Sequence, residues 1–160
     1  MRKWIFIVLI LCVLALAGCS SGSRLVFNDE DIRIRAVALQ VREDFTEYNI
    51  EVRNEGKIEL RNLHFYLSFP VITSNGTSDN PFRLEGKTEL NRPVILRPGE
   101  QTVYTFIAPI KKVFGDSELL DFNQPSIDLN GTFLYKKKEI PFGMGMGWGV
   151  VEDSDKWSSS

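Results

Sequence analysis

Histidine is the side chain that most often moves protons near neutral pH, and this 160-residue chain has one, His64. It sits in an alternating run in which Leu63, Phe65, Leu67 and Phe69 share one face and His64, Tyr66 and Ser68 the other. That parity places the imidazole on the outward face of a regular strand. A Ser-His-Asp or Cys-His unit needs its base held against a nucleophile, usually in a cleft, so no catalytic residue is expected here. Zinc wants three or four clustered His, Cys or carboxylate ligands, which one histidine supplies poorly. The oxygen-rich stretches Asn28-Asp29-Glu30-Asp31 and Asp121-Phe122-Asn123 lack the spacing of a calcium loop and read as solvated surface. No glycine-rich loop joins a strand to a helix, so phosphate cradling at a helix start has no support. No metal site and no cofactor is therefore expected. The 21 acidic residues single out no pair for glycoside hydrolysis.

The two cysteines, Cys12 and Cys19, both lie near the start of the chain. Met1-Arg2-Lys3 is a short basic head, and Trp4 to Ala17 is an unbroken apolar run of 14 residues. That is short for a bilayer span and suits a signal peptide. The run ends in Leu16-Ala17-Gly18-Cys19, which resembles the bacterial lipobox. The resemblance implies that the Cys19 thiol receives lipid, carrying acyl chains such as palmitate, and that the leader is cut just before it. Cys19 would then be the first residue of a mature chain held at the extracytoplasmic face of the cell membrane, or at an outer membrane where the host has one.

Four segments follow from this reading: residues 1–18 as lipoprotein signal peptide, 19–31 as lipidated cysteine and tether, 32–151 as one domain, and 152–160 as a polar disordered tail. The mature chain has 142 residues, enough for one core. Losing Arg2 and Lys3 leaves 17 basic residues against 21 acidic, a formal charge of −4. An acidic domain is a poor partner for nucleic acid, and its membrane attachment must come from the acyl chains on Cys19. With no cysteine after Cys19, the domain has no disulfide and relies on core packing.

Period-2 patterning runs through that domain. Ile32, Ile34, Ala36 and Ala38 share one parity and Val37, Leu39 and Val41 the other, so the first strand should contain a bulge or change sheets. Tyr48, Ile50 and Val52 point inward, with Asn49, Glu51 and Arg53 outward. Asn54-Glu55-Gly56-Lys57 suits a turn with a positive φ. Residues 71–81 read as a polar loop. Phe82 to Glu85 and Pro93 to Leu96 suit short strands, and Arg97-Pro98-Gly99-Glu100 suits a type II turn. Thr102 to Ala108 is apolar on both sides, as a central strand would be. Asp116 to Phe122 is the one helix-like piece, with Asp116 or Ser117 as cap. Ile127, Leu129, Phe133 and Tyr135 mark another strand, and Lys136-Lys137-Lys138 a charged turn. Seven or eight strands with short turns predict an all-β fold, an antiparallel β-sandwich. Residues 32–108 also resemble the bacterial cell-adhesion-related domain and similar immunoglobulin-like modules. The residues concerned are Asn54-Glu55-Gly56 closing one strand and Leu96-Arg97-Pro98-Gly99-Glu100 opening another. The resemblance implies an immunoglobulin-like topology.

Ile140 to Val150 is the most unusual stretch. Ile140, Phe142, Met144, Met146, Trp148 and Val150 share one parity, while Gly143, Gly145, Gly147 and Gly149 fall on the other. One face would complete a core and the other show bare backbone. The favoured reading is that side chains of neighbouring segments cover the glycine face. In the alternatives the four glycines are a bare surface that admits a partner, or the stretch is a flexible tail that orders only on binding. The function expected is a binding or accessory module at the bacterial cell envelope, without catalysis, contacting an envelope protein or a wall polymer. A small envelope hydrolase or a structural spacer are the alternatives.

Overall fold

The computed structural model describes residues 27–157 apart from positions 91, 93, 111, 112, 114, 116 and 117. The signal peptide, Cys19 and most of the tether lie outside the described residues, as do the expected helix caps Asp116 and Ser117. Ten antiparallel strands are present among the described residues: β1 (Ile32–Val41), β2 (Thr46–Asn54), β3 (Leu60–Ser68), β4 (Val71–Thr73), β5 (Gly76–Ser78), β6 (Leu84–Glu85), β7 (Val94–Leu96), β8 (Gln101–Ala108), β9 (Ser126–Tyr135) and β10 (Lys138–Gly147). One sheet runs β1-β2-β8. The other runs β10-β9-β3-β6, with β7 also paired to β3. The count exceeds seven or eight because of short pieces. Residues 71–78, expected as loop, form the small hairpin β4–β5, closed by Thr73 donating to the Gly76 carbonyl at 3.0 Å.

The two sheets pack face to face. Ile34, Ile50, Val52 and Phe106 from one meet Phe65, Leu67, Leu129 and Phe133 from the other in a single core. Phe65 lies edge-on to both Tyr104 and Phe106, with ring centroids 5.3 Å apart in each pair. Burial pushes the Tyr48 phenol up to about 12, since an anion there would lose its water. Each inward set on β2 and β3 is buried as its parity requires. The first strand does contain a bulge, the register slipping between Ala36 and Ala38. Beyond it only Leu39 of the second set packs on the core, while Val37 and Val41 are exposed.

Three local expectations are corrected. β8 is not central: it pairs with β2 on one side, and on the other, among the described residues, no strand pairs with it and a single bridge is formed, Lys87 exchanging backbone hydrogen bonds with Thr105. Its outward Val103 and Ile107 are therefore exposed. Leu120 forms a β-bridge with Val71 instead of a helical turn, and the Ile72 N–H donates to the Leu119 carbonyl at 2.8 Å. The chain from residue 152 on is not a loose tail as far as Trp157. The Glu152 N–H donates to the Ile34 carbonyl and the Ala36 N–H donates to the Glu152 carbonyl, so Glu152 covers part of the open edge of β1. Val151 and Ser154 are buried beside it, and a short 3-10 helix spans Ser154–Trp157.

The β9–β10 hairpin closes on Lys136 and Lys137, with φ of 47° and 67°. Tight two-residue turns want this geometry, but Asn-Gly adopts it with less strain than two side chains that prefer negative φ. Replacing Lys136-Lys137 by Asn-Gly should stabilise the fold by about 1–2 kcal/mol, read as a higher urea midpoint with unchanged slope. An unchanged or lower midpoint would mean that the turn is not strained.

Candidate functional site

The His64 side chain sits on the outer face of the five-stranded sheet, as its parity indicates, with Nδ1 2.9 Å from a Glu85 carboxylate oxygen. The Glu85 partner was not legible locally because β6 arrives 21 residues later. The pair borders a cavity of about 220 Å³ shared with Gly86, Lys87, Thr88 and Tyr104. Among the described residues no hydroxyl is hydrogen-bonded to His64. The Tyr104 hydroxyl donates to the Leu63 carbonyl at 3.3 Å. Gly86 permits the tight contact below, where an added Cβ would stand 2.6 Å from the Phe106 ring.

The oxygen-rich stretches serve turns. Asn28 Oδ1 accepts from the Glu30 N–H at 3.3 Å, capping a 3-10 turn over Asp29–Asp31. Asp121 Oδ1 accepts from the N–H groups of Asn123 and Gln124, each at 3.1 Å. Among the described residues no cluster of three or more His, Cys, Asp or Glu is placed to hold a metal. Nor is any helix there long and apolar enough to cross a membrane.

On β10, Phe142, Met144 and Met146 pack against the core, and Trp148, just past its end, is buried. The glycine face points outward. It is partly covered, because Asn130 and Asp128 lie across it in register: an added Cβ would stand 2.6 Å from Asn130 Oδ1 at Gly143 and 2.8 Å from Asp128 Oδ1 at Gly145. Gly147 and Gly149 have nothing within 4 Å. The four glycines therefore divide into two covered and two open. Gly147→Thr should leave stability unchanged or slightly higher, since its φ of −76° suits any residue and strand glycine costs entropy. Gly145→Thr must displace Asp128 from its contact with Arg83 (3.6 Å) and should cost about 1 kcal/mol. Equal denaturation midpoints for the two variants would contradict the register.

A larger concave feature lies at the opposite seam, where β7 and the segment before it face β8. It is a cleft of about 1110 Å³. Leu90, Val94 and Ile95 contribute apolar wall, while Arg53, Arg92, Arg97 and Glu89 contribute charge. Arg53 stands outward on β2, directly across from Arg33 on β1. Arg33 is engaged by Glu152 at 2.6 Å and Glu55 at 3.2 Å, which hold its guanidinium charged. Neither Arg53 nor Arg92 has an ion pair among the described residues. Arg97 is held by Glu100 at 3.4 Å and Glu59 at 3.6 Å. The Glu100 carboxylate also accepts the Arg97 N–H at 2.9 Å, and this backbone bond is the main reason its pKa falls below the usual range. It closes a turn with the type II features the sequence suggests: φ of 82° at Gly99 and a Glu100 N–H donated to the Arg97 carbonyl.

The turn is fixed from beneath by Asn54. Its Nδ2 donates to the carbonyls of Ile58 (2.8 Å) and Leu96 (3.0 Å), and its Oδ1 accepts from the Gly56 N–H (3.0 Å). Its backbone also exchanges bonds with Gly99 and Glu100. Gly56 is not at a positive φ; it is small because Asp31 fills the space a Cβ would take. Sequence reasoning missed this cleft because its cations come from separate segments. The available signal was three arginines flanking a Pro-Gly turn and the strand that ends at Asn54.

No protein-family model matches the chain, and no curated protein matches it. Among solved structures it is similar to a protein from Archaeoglobus fulgidus, at 12% identity over 72% of this chain and 90% of that one, with a TM-score of 0.36. It is also similar to Spo0M, the sporulation control protein of Bacillus subtilis, at 14% identity over 73% of this chain, with a TM-score of 0.37. The match spans 48% of the Spo0M chain, about half its length. Likeness at this level carries no argument about function.

Proposed function

We propose that the protein is a lipid-anchored, immunoglobulin-like β-sandwich that acts as a binding module at the extracytoplasmic face of a bacterial membrane, without catalysis. The anchoring half rests on Leu16-Ala17-Gly18-Cys19 and the apolar leader before it. The binding half rests on one observation: a cleft of about 1110 Å³ is lined by Arg53 and Arg92, which have no ion pair among the described residues. Unpaired cations around a concavity bind; they do not by themselves cleave. The entry of the chain agrees with a tethered module. Phe27 stacks on Phe133 (5.0 Å) and lies tilted against Phe142 (4.5 Å), so the tether would join the sandwich at the end that carries the Lys136-Lys137 turn and the Arg97–Glu100 turn.

The glycine strip of β10 is the second candidate surface, favoured by the bare backbone at Gly147 and Gly149. A photo-crosslinking amino acid placed at Thr102, in the cleft, and separately at Gly147 decides between them in cells. Adducts at Thr102 and none at Gly147 are expected. The reverse would move the partner surface to the strip, and no adduct at either would sink the binding module.

A further inference from the structure

We infer that the cleft binds a phosphodiester-linked polyol chain, of the poly(glycerol phosphate) kind, through Arg53, Arg92 and Lys87. The inference deepens the binding-module reading and rests on it. The large cleft and the small cavity beside His64 share Thr88 and Arg92 in their linings, so they adjoin along one trough-like stretch of surface. Adjoining concavities with cations in both suit a chain better than a single small anion. Arg97 and Glu100 are occupied with each other, as are His64 and Glu85. That leaves Arg53, Arg92 and Lys87 facing the trough against Glu89, a local excess of positive charge on a domain that is otherwise acidic. Arginine forks match phosphate oxygens with two parallel hydrogen bonds, and a chain bearing one charge per repeat can meet several cations at once.

The rest of the surface narrows the ligand. The large cleft has no aromatic ring among its described lining residues, and in the small cavity Tyr104 is buried, so the His64 ring is the one exposed stacking surface there for a nucleobase. Leu90 and Ile95, both exposed, offer the polyol carbons apolar surface beside the charges.

The test uses the full chain in detergent, titrated calorimetrically with poly(glycerol phosphate), polygalacturonate and neutral dextran. Binding to the phosphate polymer is expected, weakening as salt is raised. Arg53→Gln and Arg92→Gln should each lower affinity about tenfold, and Arg92→Lys should recover part of that loss. Both arginines are exposed, so folding should survive and circular dichroism will verify it. Lys136→Gln, outside the trough, should leave affinity unchanged. Absence of binding, equal binding of polygalacturonate, or an equal loss in Lys136→Gln would each overturn the assignment. Crosslinking at Thr102 in cells without polymer binding would remove the phosphate chain and keep the module; failure of both would remove the two together.

Discussion

Phe65→Ala is expected to lower stability by about 3–5 kcal/mol, enough to leave a domain of this size largely unfolded under mild denaturant. The side chain is 0% exposed. Its ring bridges the two sheets, edge-on to Tyr104 and Phe106 of the three-stranded sheet, and its carbonyl accepts the Gly86 N–H at 2.7 Å. Truncation removes the ring from its apolar surroundings and leaves a cavity that β strands on both sides cannot close without breaking register. His64→Ala, one position away, should cost within about 0.5 kcal/mol, because its contact with Glu85 is solvent-exposed. Urea denaturation of the two variants is the measurement. The reverse order would place the strand one residue out of register.

Asn54→Ala should cost about 2–4 kcal/mol for a different reason. The side chain is 1% exposed and satisfies three backbone groups at once, from the β2–β3 connection and the end of β7. Alanine fills less space and leaves the Leu96 carbonyl without a donor in a place water reaches poorly. Asn54→Asp should be at least as costly, since a carboxylate would face two carbonyl oxygens where the amide donates. A loss below about 1 kcal/mol for Asn54→Ala would show that water replaces these bonds. Because Leu96 leads directly into the Arg97–Glu100 turn, the same substitution should loosen one wall of the cleft.

The contrast between these two residues marks what the sequence could tell. Phe65 was legible because a period-2 strand with one dry face fixes its direction from four neighbours. Asn54 looked like a turn residue and is one, yet its larger role depends on Leu96, which lies 42 positions along the chain. β8 misled for a related reason. Val103 and Ile107 make it apolar on both faces, and local pattern cannot distinguish a strand covered twice from one left at an edge. The segment after residue 151 is polar in composition, but two backbone bonds between Glu152 and β1 are enough to hold it. Gly143, Gly145 and Gly147 do share the outer face of β10, but the alternation stops there: Gly149 lies in a 3-10 turn over Trp148–Val150, Val150 is exposed, and which glycines stay open depends on Asp128 and Asn130 across the hairpin. The cleft was invisible for the same reason as the Asn54 contacts, since Arg53, Arg92 and Arg97 come together only after β2, β7 and β8 are in place.

The claim on which the functional account depends is that Cys19 becomes a lipidated N-terminus, and mass spectrometry of the chain recovered from cell membranes tests it directly. The expected result is a mature protein beginning at Cys19, heavier than its residues by the added lipid on the thiol, with the Cys19→Ala variant accumulating as an uncleaved precursor. A chain that keeps residues 1–18, or begins elsewhere without lipid, or is processed and released normally in the Cys19→Ala variant, would contradict the account.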